Sequence, residues 1–166
     1  DEEASAAFRR AHRGLGRALG EGHRLTVLAG SELARSLARQ GDRQRATAVL
    51  ARLQLVGPPE TFGRDARAID IQELWAETLL LLDRTEDAAR ALAGFKARAA
   101  EVLPENHPRL AVARCFESQI ATRRGQLGEA GVALSACRLG LARLAADDYR
   151  RRALADAEQA ADIAAP

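Results

Sequence analysis

Aromatic residues make up 4% of this 166-residue chain, methionine is absent, and a single lysine, Lys96, stands among 25 basic residues. With so few rings, a base-stacking surface for single-stranded nucleic acid is excluded. The arginine preference reads as the compositional bias of an arginine- and alanine-rich bacterial genome. Acidic residues number 23, so the net charge is +2 and steers little. The dense basic runs, Arg123-Arg124 and Arg150-Arg151-Arg152, sit near expected helix ends, where arginine offsets the helix dipole. No nucleic-acid role is expected of this segment.

Long apolar runs are also missing. The longest, Leu79-Leu80-Leu81-Leu82, stops at Asp83, far short of the ~18 residues that suggest a membrane span. No signal peptide is recognisable, so the default compartment is the cytoplasm. Two cysteines, Cys115 and Cys137, make no disulfide framework, and the expectation is two free, buried thiols. The three histidines (His12, His23 and His107) show no HxxxH or HExxH spacing. Ser31 and Cys115 lack the base and orienting group that a nucleophile needs. The glycines of GRALGEGHR follow a helix rather than a strand, so they form no phosphate cradle. The chain is expected to be non-enzymatic, without metal or cofactor.

Alanine and leucine supply most of the 47% hydrophobic content, which suits close helix packing. Self-similarity is pronounced. LARQGDRQRATAVL (37–50), LLLLDRTEDAARAL (79–92) and ATRRGQLGEAGVAL (121–134) align at a step of 42 residues. Gly41, Asp83 and Gly125 share one register position, Ala46, Ala88 and Ala130 another, and Leu50, Leu92 and Leu134 a third. His23 and His107 lie two steps apart in the same frame. Apolar stripes at helical spacing precede and follow each turn. Each helix alone would expose an apolar face, so neighbouring units must stack. The fold expected is all-α.

The pairs Ala34/Ala46, Ala76/Ala88 and Ser118/Ala130, each 12 residues apart around a turn residue, resemble the tetratricopeptide repeat. The 42-residue step and the histidine-containing joints resemble its kinesin-light-chain type. Asp83 in place of a turn glycine and the polar Glu117 and Ser118 depart from the pattern. The resemblance implies a right-handed superhelical solenoid of antiparallel helix hairpins. Its division would be 1–20 as the second helix of a truncated repeat, then repeats at 23–62, 63–105 and 106–146. Residues 147–166 would form a cap or the first helix of a fourth unit. DEEASAAFRRA then matches a second helix, through Ala4, Phe8 and Ala11, which suggests an array cut from a longer protein.

The resemblance also implies a concave, partner-binding face lined by Leu28, Ser31 and Arg35, by Asp70, Glu73 and Glu77, and by Val112, Cys115 and Gln119. On this mapping Cys115 faces the groove and Cys137 the core. Glu73 and Glu77 would form a negative centre, with Arg39 and Arg123 toward one rim. The family's lysine and asparagine clamp for C-terminal carboxylates is not matched. The expected function is binding a protein or peptide, of basic character if the glutamate pair is the contact. Two alternatives stay open: self-association into a homo-oligomer or scaffold, and a regulatory C-terminal segment of a bacterial serine/threonine kinase or transcriptional regulator. No membrane role is expected.

Overall fold

Three backbone positions with positive φ set the architecture: Gly41 at 81°, Asp83 at 58° and Gly125 at 74°. In this computed structural model, which describes residues 2–62, 66–145 and 147–164, each closes a helix in the same way. The amides of Gly41 and Asp42 donate to the carbonyls of Ala38 and Leu37. Those of Asp83 and Arg84 donate to Leu80 and Leu79, and those of Gly125 and Gln126 to Thr122 and Ala121. These are Schellman caps, which satisfy the last carbonyls and reverse the chain. Aspartate tolerates the left-handed region better than most residues, and Asp83 is held there by Arg43 at 3.0 Å.

The helices follow in order α1 (Glu2–Leu19), α2 (Arg24–Arg39), α3 (Arg43–Val56), α4 (Ala66–Leu81), α5 (Thr85–Val102), α6 (Pro108–Arg123), α7 (Leu127–Leu141) and α8 (Arg151–Ala164). One 3-10 turn, Pro59–Phe62, interrupts the joint after α3. The described residues contain no strand. Residues 63–65, where the second repeat is expected to begin, lie outside the described residues, as do 1, 146, 165 and 166. The helix starts at Arg24, Ala66 and Pro108 are each 42 residues apart, and so are the ends at Arg39, Leu81 and Arg123. The histidines that share this frame have one job. His23 accepts a hydrogen bond from the Leu25 amide at 3.3 Å, and His107 from the Arg109 amide at 3.2 Å. Both cap the first turn of a helix.

The chain forms two compact units, 1–91 and 92–166, with the boundary inside α5. In the first, α2 packs against α1, α3 and α4 and buries Val27, Leu33, Ala34 and Leu37. A methyl group at Gly30 would lie 2.8 Å from Leu53 and 2.9 Å from His12, so α1 and α3 close on α2 only because that position is bare. Ala46, opposite α2, is fully buried. In α1 the register equivalents of Ala46 and Leu53 are Ala4 and Ala11, and both are exposed. Arg43 donates to the carbonyls of Leu81 at 2.9 Å and Leu82 at 2.5 Å, covering the end of α4.

In the second unit, α6 packs against α7 and α8. Ser118 Oγ donates to the Ala130 carbonyl at 3.0 Å, so the pair 12 residues apart is in direct contact across the turn. The cysteines correct the sequence expectation. Cys115 and Cys137 are not free thiols but a disulfide between α6 and α7, with their Cα atoms 5.2 Å apart.

Three substitutions test this construction. Gly125→Ala should destabilise the protein by about 1 kcal/mol, because no neighbour crowds the site and the cost is purely that of a left-handed backbone. Gly14→Ala, in open space on the exposed side of α1, should instead stabilise by about 0.5–1 kcal/mol. Ala46→Leu should overpack the α2–α3 contact and cost about 1–3 kcal/mol. Urea denaturation curves for the three variants give the signs directly.

Candidate interaction surface

The nine residues read from sequence as a concave face have divergent environments. In the second unit Val112, Cys115 and Gln119 are all buried. Helix α6 packs against α7 and α8. Cys115 therefore does not line a groove: its side chain is fully buried and bonded to Cys137. In the first unit Ser31 is also fully buried. Its hydroxyl donates to the Val27 carbonyl at 2.8 Å and accepts from the Trp75 indole at 2.8 Å. That polar contact ties α2 to α4 inside the core.

Leu28, Arg35, Asp70, Glu73 and Glu77 are partly exposed on α2 and α4. Glu77 is the hub. Arg39 Nε donates to one carboxylate oxygen at 2.9 Å and Arg35 Nη1 to the other at 3.3 Å. The Glu77 side chain is 12% exposed and that of Arg39 14%, so this interaction is shielded from water. Glu77 is thus a strut between two helices, not an unengaged carboxylate. Arg35 also meets Glu32 one turn earlier at 2.5 Å, a partner the sequence reading missed although the i, i+3 spacing was available. Burial raises the Glu32 carboxyl above its ordinary value; Arg35 opposes this, while Glu77 and Asp70 add to it. That cross-influence places Glu32, Asp70 and Glu77 in one electrostatic neighbourhood. Glu73 lies between Asp70 and Glu77 at helical spacing on the same side of α4.

A second feature was not anticipated. In the second unit a cleft of about 260 Å³ is lined by residues that include Leu110, Ala111, Gly140, Lys96, Arg114 and His107. Lys96 and Arg114 both bond Glu117, the latter at 2.8 Å. Burial alone would raise the Glu117 carboxyl, but hydrogen bonds from these two cations hold it below its ordinary value. The Arg109 guanidinium lies 5.8 Å from the centre of the buried Phe95 ring. Among the described residues, no group of three histidine, cysteine or acidic side chains could hold a metal ion. Among the described residues, no helix is long and apolar enough to cross a membrane.

Comparison with family models and with curated proteins returns no match.

Glu77→Gln should destabilise the first unit by about 1–3 kcal/mol, since Arg35 and Arg39 keep their charges and lose their anchor. Stability measured in low and high salt should converge for the variant more than for the wild type. His107 supplies a pH test. Burial first, then Arg109 and Arg150, lower its pKa from 6.5. The capping nitrogen must be unprotonated to accept, so this contribution is complete above pH 6.5 and is lost as pH falls through the lower, folded value. His107→Asn, a cap that does not titrate, should flatten the difference in melting temperature between pH 7.5 and pH 5 relative to wild type.

Proposed function

We propose that the chain is a non-catalytic helical-repeat module that binds a basic segment of a partner protein on the α2–α4 face of its first unit. The repeated hairpins, with helix boundaries that recur at one step, support a tetratricopeptide-like array; that family's right-handed superhelix is the arrangement proposed.

The observation that carries the proposal is the cluster of carboxylates on that face. Glu32, Asp70, Glu73 and Glu77 stand on α2 and α4, with Arg35 and Arg39 bonded among them. Burial is the main cause of the raised Glu32 carboxyl, which Arg35 opposes and the Glu77 and Asp70 charges reinforce. A ligand bringing one or two cations would be attracted to these carboxylates. Such complementarity contributes mainly to specificity and association rate, with affinity from apolar contacts beside it. Leu28, half-buried one turn before Glu32, is the apolar contact available on α2.

The test is a fluorescence polarisation screen with arginine- and lysine-containing peptides of about 15 residues, spanning roughly four helical turns. Asp70→Lys/Glu73→Lys should weaken binding at least ~10-fold, about 1.4 kcal/mol, with circular dichroism unchanged. Reversing Arg10 and Arg13 on α1 to glutamate should leave it intact. Binding that survives the α4 double reversal, or no binding by any basic peptide, would sink the assignment.

A further inference from the structure

We propose that the Cys115–Cys137 bond is what keeps α7 helical, so that thiol–disulfide exchange switches the α6–α7 hairpin between closed and frayed states. The proposal concerns the second unit alone and does not depend on the α2–α4 surface.

Helix α7 is poorly equipped to stand by itself. Its 15 residues include Gly128, Gly131 and Gly140, and glycine is the worst helix former after proline. Its N-cap, Gln126, makes no side-chain capping bond, whereas Asp42 at the equivalent position caps α3 through the Arg45 amide at 3.1 Å. Only Ala130, Leu134, Cys137 and Leu141 are buried along it. Val132 and Leu139 remain 74% and 80% exposed. Helix stability in proteins comes mostly from packing, and in α7 one of the four buried positions is the bonded cysteine itself.

The register shows what the bond replaces. Cys115 and Cys137 occupy the positions of Ser31 and Leu53 in the first repeat and of Glu73 and Phe95 in the second. Leu53 and Phe95 are fully buried. The third repeat has a cysteine where the others have a large apolar side chain, and it gains a covalent tie in exchange. Reduced, the same slot holds two thiols and no plug.

The chemistry balances with a small disulfide of the oxidised-glutathione class. One cysteine thiolate attacks that disulfide and releases the first small thiolate. The second cysteine thiolate attacks the mixed disulfide, closes the Cys115–Cys137 bond and releases the other. The two cysteines give up two protons and two electrons, and one small disulfide becomes two thiols. Reduction runs the steps backward and consumes two small thiols. Both sulfurs are buried in the closed hairpin, so either direction requires α7 to open, which ties bond and helix to one event.

Hydrogen exchange read by mass spectrometry on the whole chain, oxidised and then reduced with a phosphine, tests this. Amides of residues 127–141 should exchange roughly tenfold faster or more once the loop constraint is gone, while residues 24–39 stay unchanged. In glutathione buffers of graded potential, the fraction of bonded cysteine and the protection of α7 should follow one midpoint. Cys115→Ser/Cys137→Ser should show the fast pattern with or without reductant. Equal protection of α7 in both redox states would overturn the proposal. So would loss of protection in residues 24–39 as well, two midpoints that separate, or thiols that stay reduced in oxidised glutathione.

Discussion

Everything in the fold depends on two helix axes approaching closely beside a left-handed turn. At the contact there is room for a methyl group or a hydroxyl and little more. Ala34 and Ala46, Ala76 and Ala88, and Ser118 and Ala130 meet that limit, and none of the six is more than 4% exposed. The Ser118 bond to the Ala130 carbonyl shows the limit reached, since a side-chain oxygen there touches the facing backbone. Once the axes are fixed, leucines at 50, 92 and 134 have only one direction in which to be buried. The turn then has to reverse the chain at once, which calls for positive φ at 41, 83 and 125.

Polar chemistry fills the places where that frame leaves no apolar solution. Arg43 covers the open carbonyls at the end of α4, and in the second unit Arg151 does the same for Leu144 at 2.6 Å and Ala142 at 3.3 Å. The Ser31 hydroxyl mediates between Val27 and Trp75, giving the indole its hydrogen-bond partner inside the core. Glu77 joins α2 to α4 through two arginines. Such shielded charges are expensive to break and only modestly favourable to have, so they specify which helices meet more than they add to stability.

The all-α class and the turn positions were legible in the sequence because each rests on a local rule repeated at a constant step. Gly41, Asp83 and Gly125 announced the turns, and Ala46, Ala88 and Ala130 the contacts. Side-chain orientation at 31, 112, 115 and 119 was not legible. Those positions lie at the edge between a solvent-facing stripe and a packed one, and which side wins depends on the neighbours that α4 and α8 bring. The disulfide was missed because two cysteines 22 residues apart look unrelated along the chain. Their distances from Gly125, 10 residues before it and 12 after, put them opposite each other in a hairpin, and that was the available signal.

The same bond has a mechanical meaning. A helical-repeat chain pulled from its ends unravels hairpin by hairpin, each stretched residue contributing up to ~3.3–3.6 Å of contour. With Cys115 and Cys137 joined, the 21 residues between them cannot be drawn out. The fully stretched chain is then shorter by roughly 70 Å, at ~3.3–3.6 Å for each residue withheld. Under load, the oxidised protein would keep a knot-like remnant of its third repeat after the first two had been pulled straight, and that remnant is a seed from which the rest could rewind.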